Sequence, residues 1–277
     1  MPEGDTIHRA ASTLHRALAG KTVTAFRSPL PALATADLAG RRIAAVEAQG
    51  KNLMIRFDDG RVLHTHMMMT GSWHIYRPGE PWKKPARRAR ALLETEDFVA
   101  VCFNAPVVEL LSSRQRDRHP TLSRLGPDIL KKEFDAEDAC RRLRERGDTP
   151  IGEALIMQRL LAGVGNIYKS ESLFLCGQDP FQTVAGISDA ALERLIGKAR
   201  ELMAANLDGV SRETRRSLDG GRYWVYRRSG RPCRRCGTRI QMRRQGAAQR
   251  STYWCPQCQA GVDAENGDPG NSPSFPR

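Results

Sequence analysis

Two cysteine pairs, Cys233-Arg-Arg-Cys236 and Cys255-Pro-Gln-Cys258, stand eighteen residues apart and constrain the C-terminal part of this 277-residue chain more than any other feature. Four thiolates at that separation suit one tetrahedral zinc ion, and the intervening residues suffice for a single β-hairpin. A site closed by four cysteines holds a fold and leaves no position open for chemistry. Two disulfides are the other pairing, and a reducing cytoplasm disfavours them. A cytoplasmic setting is expected because the chain has no apolar run of membrane-spanning length and no basic segment leading into an apolar stretch at its start. Cys102, Cys140 and Cys176 stand alone in apolar or helical surroundings, where cysteine behaves as a small buried hydrophobe.

The residues around the paired cysteines point to a polyanion. Arg222 to Cys258 holds ten arginines and no acidic residue, with Tyr223, Trp224, Tyr226, Tyr253 and Trp254 interleaved. The whole chain has 44 Lys+Arg against 31 Asp+Glu, a net charge of +13. That balance favours nucleic acid ahead of a membrane surface as the partner, although an arginine run alone can be a solvated face. Arg250, at the far end of the expected hairpin, is placed to reach phosphates.

Ahead of this segment the hydrophobic pattern changes period twice. Residues 2–19 carry Ile7, Ala10, Ala11, Leu14 and Leu18 at helical spacing, closed by Gly20. Eight short β-rich segments follow, from "TVTAF" to "VVELL", punctuated by turn signals such as Asp59-Gly60, and predict a β-sandwich. After about Pro120 the segments "DAEDACRRLRER", "PIGEALIMQRLL", "NIYKSESLFLCG" and "SDAALERLIGKARELMAANL" read as helices. The expected class is therefore a multi-domain α+β chain: a β-sandwich with a leading helix over 2–118, a helical domain over 119–221, a zinc finger over 222–258 and a disordered tail over 259–277.

Four further motifs lie along this frame. The start, "MPEGD", puts Pro2 where loss of Met1 would leave a secondary amine beside the Glu3 carboxylate. Lys51 sits on a turn just before a strand. "HTHMMMTGSW" ends a strand with Met67, Met68, Met69 and Thr70, so that strand alternation leaves at least one flexible thioether facing solvent, suited to push between stacked bases. At "GVGN", glycines let two backbones approach, while Asn166 is placed to cap the next helix and leave its first amides open to an anion.

Pro2-Glu3, Lys51, the Met-Thr-Gly loop, the Gly-Val-Gly-Asn corner and the paired cysteines, in this order over residues 2–258, resemble the formamidopyrimidine-DNA glycosylase and endonuclease VIII family of DNA repair enzymes. The resemblance implies a helix-two-turn-helix domain behind the sandwich, with damaged DNA in the cleft between them. It also implies roles. Pro2 matches the nucleophile, Glu3 the general acid/base, and Lys51 a lysine that contacts phosphate and assists catalysis. Asn166 and Arg250 match the phosphate-gripping residues, and Met68, Met69 and Thr70 match the loop that fills the gap left by the extruded nucleotide. Cys233, Cys236, Cys255 and Cys258 hold one structural zinc, and a monomer needing no small-molecule cofactor is expected.

The chemistry agrees with the implied roles. An α-amino group has a pKa near 8, so about a tenth is free amine at pH 7, against well under one part in a thousand for lysine. Its attack on C1′ gives a cationic iminium that acidifies C2′ and permits β/δ-elimination. "PEGD", and the lack of an Arg-Arg-Phe-Gly loop in "CFNAPVVELL", point to the endonuclease VIII branch and oxidised pyrimidines. Alternatives are an 8-oxoguanine-type purine glycosylase, to which the "GVGNIY" corner is closer, and a non-catalytic zinc-finger protein that binds damaged DNA.

Overall fold

The computed structural model describes residues 2–209, 211–217 and 219–260. Helix α1 (Gly4–Leu18) buries Ile7, Ala11, Leu14 and Leu18 along one stripe, and Gly20, at φ +79°, turns the chain out of it. The predicted strands follow in order as β1 (Ala25–Arg27), β2 (Ile43–Gln49), β3 (Asn52–Phe57), β4 (Val62–His66), β5 (Ser72–Tyr76), β6 (Ala89–Glu94), β7 (Val99–Phe103) and β8 (Val107–Leu111). They form two antiparallel sheets, β1-β6-β7-β5 and β2-β3-β4-β8. Ile43, Val46, Leu53, Ile55 and Leu63 of one sheet share a core with Ala91, Leu93, Ala100 and Cys102 of the other, and α1 packs into the same core. Burial pushes the Cys102 thiol up to about 12, so it stays a neutral, apolar group. Cys140 and Cys176 are only half-buried.

A short helix α2 (Ser113–Asp117), opened by a Ser112/Gln115 capping box, leads into a second core built by α3 (Ala136–Arg144), α4 (Ile151–Ala154), α5 (Asn166–Leu175) and α6 (Asp189–Ala204). One expectation is corrected here. The apolar run of residues 150–161 predicts a full helix, but α4 stops at Ala154 and the chain continues in turns. Its backbone groups are spent elsewhere. The Gly126 amide donates to the Gln158 carbonyl, the Ala162 amide to Pro127, and the Gln158 side chain to the carbonyls of Ile156 and Val164. A Cβ on Gly126 would lie 2.5 Å from the Leu160 oxygen, so the two segments lie backbone against backbone.

The finger is one hairpin, β9 (Gln241–Gln245) and β10 (Arg250–Trp254), resting on α5 through Phe174, Val225, Ile240, Cys233 and Cys255. Glu171, in the middle of α5 and fully buried, accepts the amides of Trp224, Val225 and Tyr226 at 2.8–2.9 Å together with the Thr214 hydroxyl. That carboxylate organises the chain leading into the finger. Gln259 belongs to the same packing: it is buried and joins Cys255 N to the Gln178 carbonyl. The tail expected beyond it lies outside the described residues from 261 onward.

Candidate active site

The N-terminus crosses the glycine corner of the helical domain. Gly4 donates to the Gly163 carbonyl at 2.9 Å, and a Cβ on Gly4 would stand 3.0 Å from Gly163 Cα. This crossing places Glu3, fully buried, over the first turn of α5. Its Oε1 accepts from Ile167 N at 2.8 Å and its Oε2 from Gly165 N at 3.0 Å, with Tyr168 N at 3.4 Å. The amides expected to stand open for an external anion are therefore filled by the chain's own carboxylate, where unpaired donors and the helix dipole both favour negative charge. Gly165, and not Asn166, is the N-cap; Asn166 is the first helical residue. Its Oδ1 is buried and has no hydrogen-bond partner among the described residues. Only glycine fits at 165, since a Cβ would lie 2.4 Å from Glu3 Cδ.

Around Glu3 the cleft gathers cations. Lys51 is half-buried on the β2–β3 turn, and desolvation lowers its pKa to about 8, opposed by Glu3 and assisted by Arg250 and Arg212. Asp128 holds that turn in place: its Oδ2 accepts the Gly50 amide at 2.8 Å and pairs with His8 Nε2 on α1 at 3.3 Å. Arg212 forms a two-pronged pair with fully buried Asp5 and lies 5.4 Å over the Tyr168 ring, tying α1 to the segment after α6. Lys169, buried in α5, reaches β10 through Thr252 Oγ1 at 2.8 Å and the Ser251 carbonyl at 3.2 Å. Burial lowers its pKa to about 7. It sets the finger strand, and Arg250 at its start, against the corner that bears Asn166. Asp5, Asp128, Lys169 and Arg212 were not singled out from sequence. Only the polar run Lys169–Ser172 inside an otherwise buried helix carries a signal of this kind.

The four paired cysteines meet, with all sulfurs within 4.8 Å of one another, Cys236 Sγ 3.5 Å from Cys255 Sγ and Cys233 Sγ 3.9 Å from Cys258 Sγ. Sulfurs around a tetrahedral zinc, each about 2.3 Å from the metal, stand roughly 3.8 Å apart, so the set fits. Amides of Arg235 and Cys258 donate to Cys233 and Cys255 Sγ at 3.4 Å, as thiolates at such a knuckle require.

The methionine loop lies beside this cleft, because His66 pairs in register with Asn52, next to Lys51. Met67 turns into the sandwich core, whereas Met68 and Met69 are 47% and 64% exposed. The β7–β8 turn that faces the loop has only three residues, Asn104–Pro106, and the Asn104 carbonyl accepts the Thr70 hydroxyl at 3.1 Å. The structure thus brings Glu3, Lys51, Asn166 and Arg250 around one cleft and sets the Met68–Thr70 loop at its sandwich side.

The formamidopyrimidine-DNA glycosylase N-terminal domain matches residues 1–106, the H2TH domain of the same enzymes residues 125–216, and a zinc finger found in FPG and IleRS residues 230–261. The chain is 42% identical to the probable endonuclease 8 2 of Streptomyces coelicolor, over 94% of this chain and 95% of that protein. It is 39% identical to the DNA-(apurinic or apyrimidinic site) lyase Nei2 of Mycolicibacterium smegmatis, over 94% and 99%. Its fold matches Lactococcus lactis formamidopyrimidine DNA glycosylase, solved with DNA containing an AP site, at a TM-score of 0.76 and 23% identity over 94% of this chain and 100% of that one. The chain belongs to the formamidopyrimidine-DNA glycosylase and endonuclease VIII family.

Proposed function

We propose that this bifunctional DNA glycosylase and abasic-site lyase of base excision repair acts on oxidised pyrimidines, as a monomer in the cytoplasm near the nucleoid, and that Pro2 is its nucleophile. The observation that carries the reading is the seating of Glu3 in the amides of the Gly165–Tyr168 corner. It fixes the residue next to Pro2 at the meeting point of Lys51, Asn166 and the finger.

After loss of Met1, the Pro2 amine attacks C1′ of the everted nucleotide; the glycosidic bond breaks and the base leaves. Glu3 protonates the sugar ring oxygen, opening the ring to a C1′ iminium, and its carboxylate then moves protons during elimination. Loss of the C2′ proton expels the 3′ phosphate, and a second elimination expels the 5′ phosphate. Lys51, Asn166 and Arg250 grip backbone phosphates on either side of the lesion. Met68, Met69 and Thr70 fill the gap in the stack. The short β7–β8 turn supports the pyrimidine assignment, since it supplies no second loop to fill the space opposite the lesion, and the relatives named endonuclease 8 and Nei2 support the endonuclease VIII branch. We place the domain boundaries near residues 118 and 221.

Borohydride trapping of the untagged protein on a duplex with an abasic site or 5-hydroxyuracil tests the mechanism. A covalent protein–DNA adduct that disappears when the N-terminus is blocked is expected. An adduct that persists with a blocked terminus removes Pro2 from the chemistry, and faster excision of 8-oxoguanine than of 5-hydroxyuracil overturns the pyrimidine assignment.

A further inference from the structure

The loop from Met67 to Gly71 is pinned at both ends and open in the middle. Gly71 N donates to the Met67 carbonyl at 2.7 Å, and a Cβ on Gly71 would stand 2.7 Å from Met67, so the turn closes backbone against backbone. Met68 N donates to His66 Nδ1 at 3.2 Å, and Thr70 is tied to Asn104. Met68 is held at φ +46°, a left-handed conformation that an unbranched side chain adopts only when its surroundings impose it. Met67 occupies the core beneath, whereas the two thioethers that follow it stand in solvent.

The remaining methionines are distributed differently. Met54, Met67 and Met203 are buried and Met157 is half-buried, and among the described residues only Met242, on the finger, is comparably open. Thioether oxidation follows exposure. An oxidant therefore reaches Met68, Met69 and Met242 ahead of the buried methionines, and two of these three stand where apolar, polarizable character serves the proposed work of the loop.

We propose that Met68 and Met69 form a reversible oxidation site, whose conversion to sulfoxides withdraws the enzyme from base-paired DNA while sparing its cleavage of unpaired abasic strands. In each event a peroxide-class oxidant transfers one oxygen to sulfur: the sulfur lone pair forms the S–O bond, the O–O bond breaks, and water leaves. Reversal by a methionine sulfoxide reductase consumes two thiols and returns the thioether, a disulfide and water. A sulfoxide oxygen is a strong acceptor that needs donors. Between stacked bases it finds none, so insertion leaves it unsatisfied. The inference rests on the proposed gap-filling role of the loop, since an unpaired strand leaves no gap to fill.

The experiment treats untagged, zinc-loaded protein with hydrogen peroxide and maps oxygen gain by peptide mass spectrometry. The ratio of treated to untreated rate is then followed on a 5-hydroxyuracil duplex and on a single-stranded abasic oligonucleotide. Oxygen gain at Met68 and Met69 is expected to accompany a drop of about tenfold or more on the duplex, a change within about twofold on the single strand, and recovery after reductase treatment. In the Met68→Leu/Met69→Leu variant the ratio should stay near one on both substrates, whatever that variant's untreated rate. Three results overturn the proposal: no oxygen gain at these residues, an oxidised loop with unchanged duplex excision, or an equal loss in the leucine variant, which would place the damage at Met242 or the zinc cysteines of the finger. The Met68→Ala/Met69→Ala variant separates the underlying reading. If untreated it excises normally from duplex, the gap-filling role itself falls; if it is impaired while peroxide leaves the wild type active, the role stands and the oxidation site falls.

Discussion

Glu3 and Glu171 are both fully buried, and each carboxylate accepts three backbone amides, yet Glu3 sits at the N-terminus of α5 and Glu171 in its middle. Glu171 faces inward. Its amides come from the segment entering the finger, a hydroxyl completes its shell, and its pKa is pushed up by burial against the pull of these hydrogen bonds. Glu3 takes its amides from the helix terminus itself, and its electrostatic neighbours are Lys51, Lys169 and Arg212, cations gathered at the cleft. The same hydrogen-bonding device therefore builds a scaffold at one site and, in the proposed mechanism, aims a proton-transfer group at the other. The difference lies in what surrounds the carboxylate rather than in how it is held.

The sharpest way to break that comparison is to neutralise each carboxylate in turn. Glu3→Gln should lower base excision by about 10²–10⁴-fold, the range of a lost general acid/base, while thermal denaturation moves by only a few degrees. Glu171→Gln should do the reverse. Unsatisfied amides and hydroxyl cost about 3 kcal/mol, which is about 6–12 °C in Tm for a chain of this size, while excision per folded molecule changes far less. A Glu3 variant that melts early but keeps its rate would make the two sites equivalent. Gly165→Ala, whose Cβ would collide with Glu3 Cδ, sharpens the contrast by displacing the carboxylate without removing it. A loss on the order of 10²-fold in single-turnover excision is expected, since displacements of about 1 Å cost that much.

Zinc removal by a chelator attacks only the Glu171 side of the molecule. The finger hairpin should melt and affinity for an abasic-analogue duplex should fall by about tenfold or more, as Arg250 and its neighbouring arginines lose their placement on phosphates. Anisotropy with metal analysis checks this, and full affinity without zinc would contradict it. The smallest effect concerns Lys51 and pH. Its folded pKa of about 8 lies below the ordinary 10.5, so the fold carries the cost of its charge below about pH 8 and is relieved of it as pH rises toward 10.5. Stability from this residue thus rises over the interval in which its proposed grip on phosphate would fade. DNA affinity should weaken a few-fold as pH passes through 8, and in Lys51→Arg the share of that dependence owed to residue 51 should be lost.

Local chemistry made much of this legible in the chain. Strand alternation located all eight sandwich strands, Gly20 marked the end of α1, and the cysteine spacing announced the finger and its hairpin. The helix expected over residues 150–161 failed because the 126–129 segment claims backbone groups that a helix would have used, a competition between segments some thirty residues apart in sequence. Asn is a good cap, which makes Asn166 the local candidate, but the amides at that corner are claimed from residue 3, more than 160 positions away.

The sequence by itself determined the parts: a proline and a glutamate side by side at positions 2 and 3, a cage of four cysteines, an arginine-rich finger and an apolar loop, each set by residue type and short-range spacing. Only the tertiary structure decided what the buried charges do. Glu3 fills the anion site of α5, Asp128 holds the Lys51 turn, Arg212 holds Asp5, and Lys169 and Glu171 fasten the finger. A buried charge persists only beside its partner, and those partners lie far along the chain, where no local pattern records them.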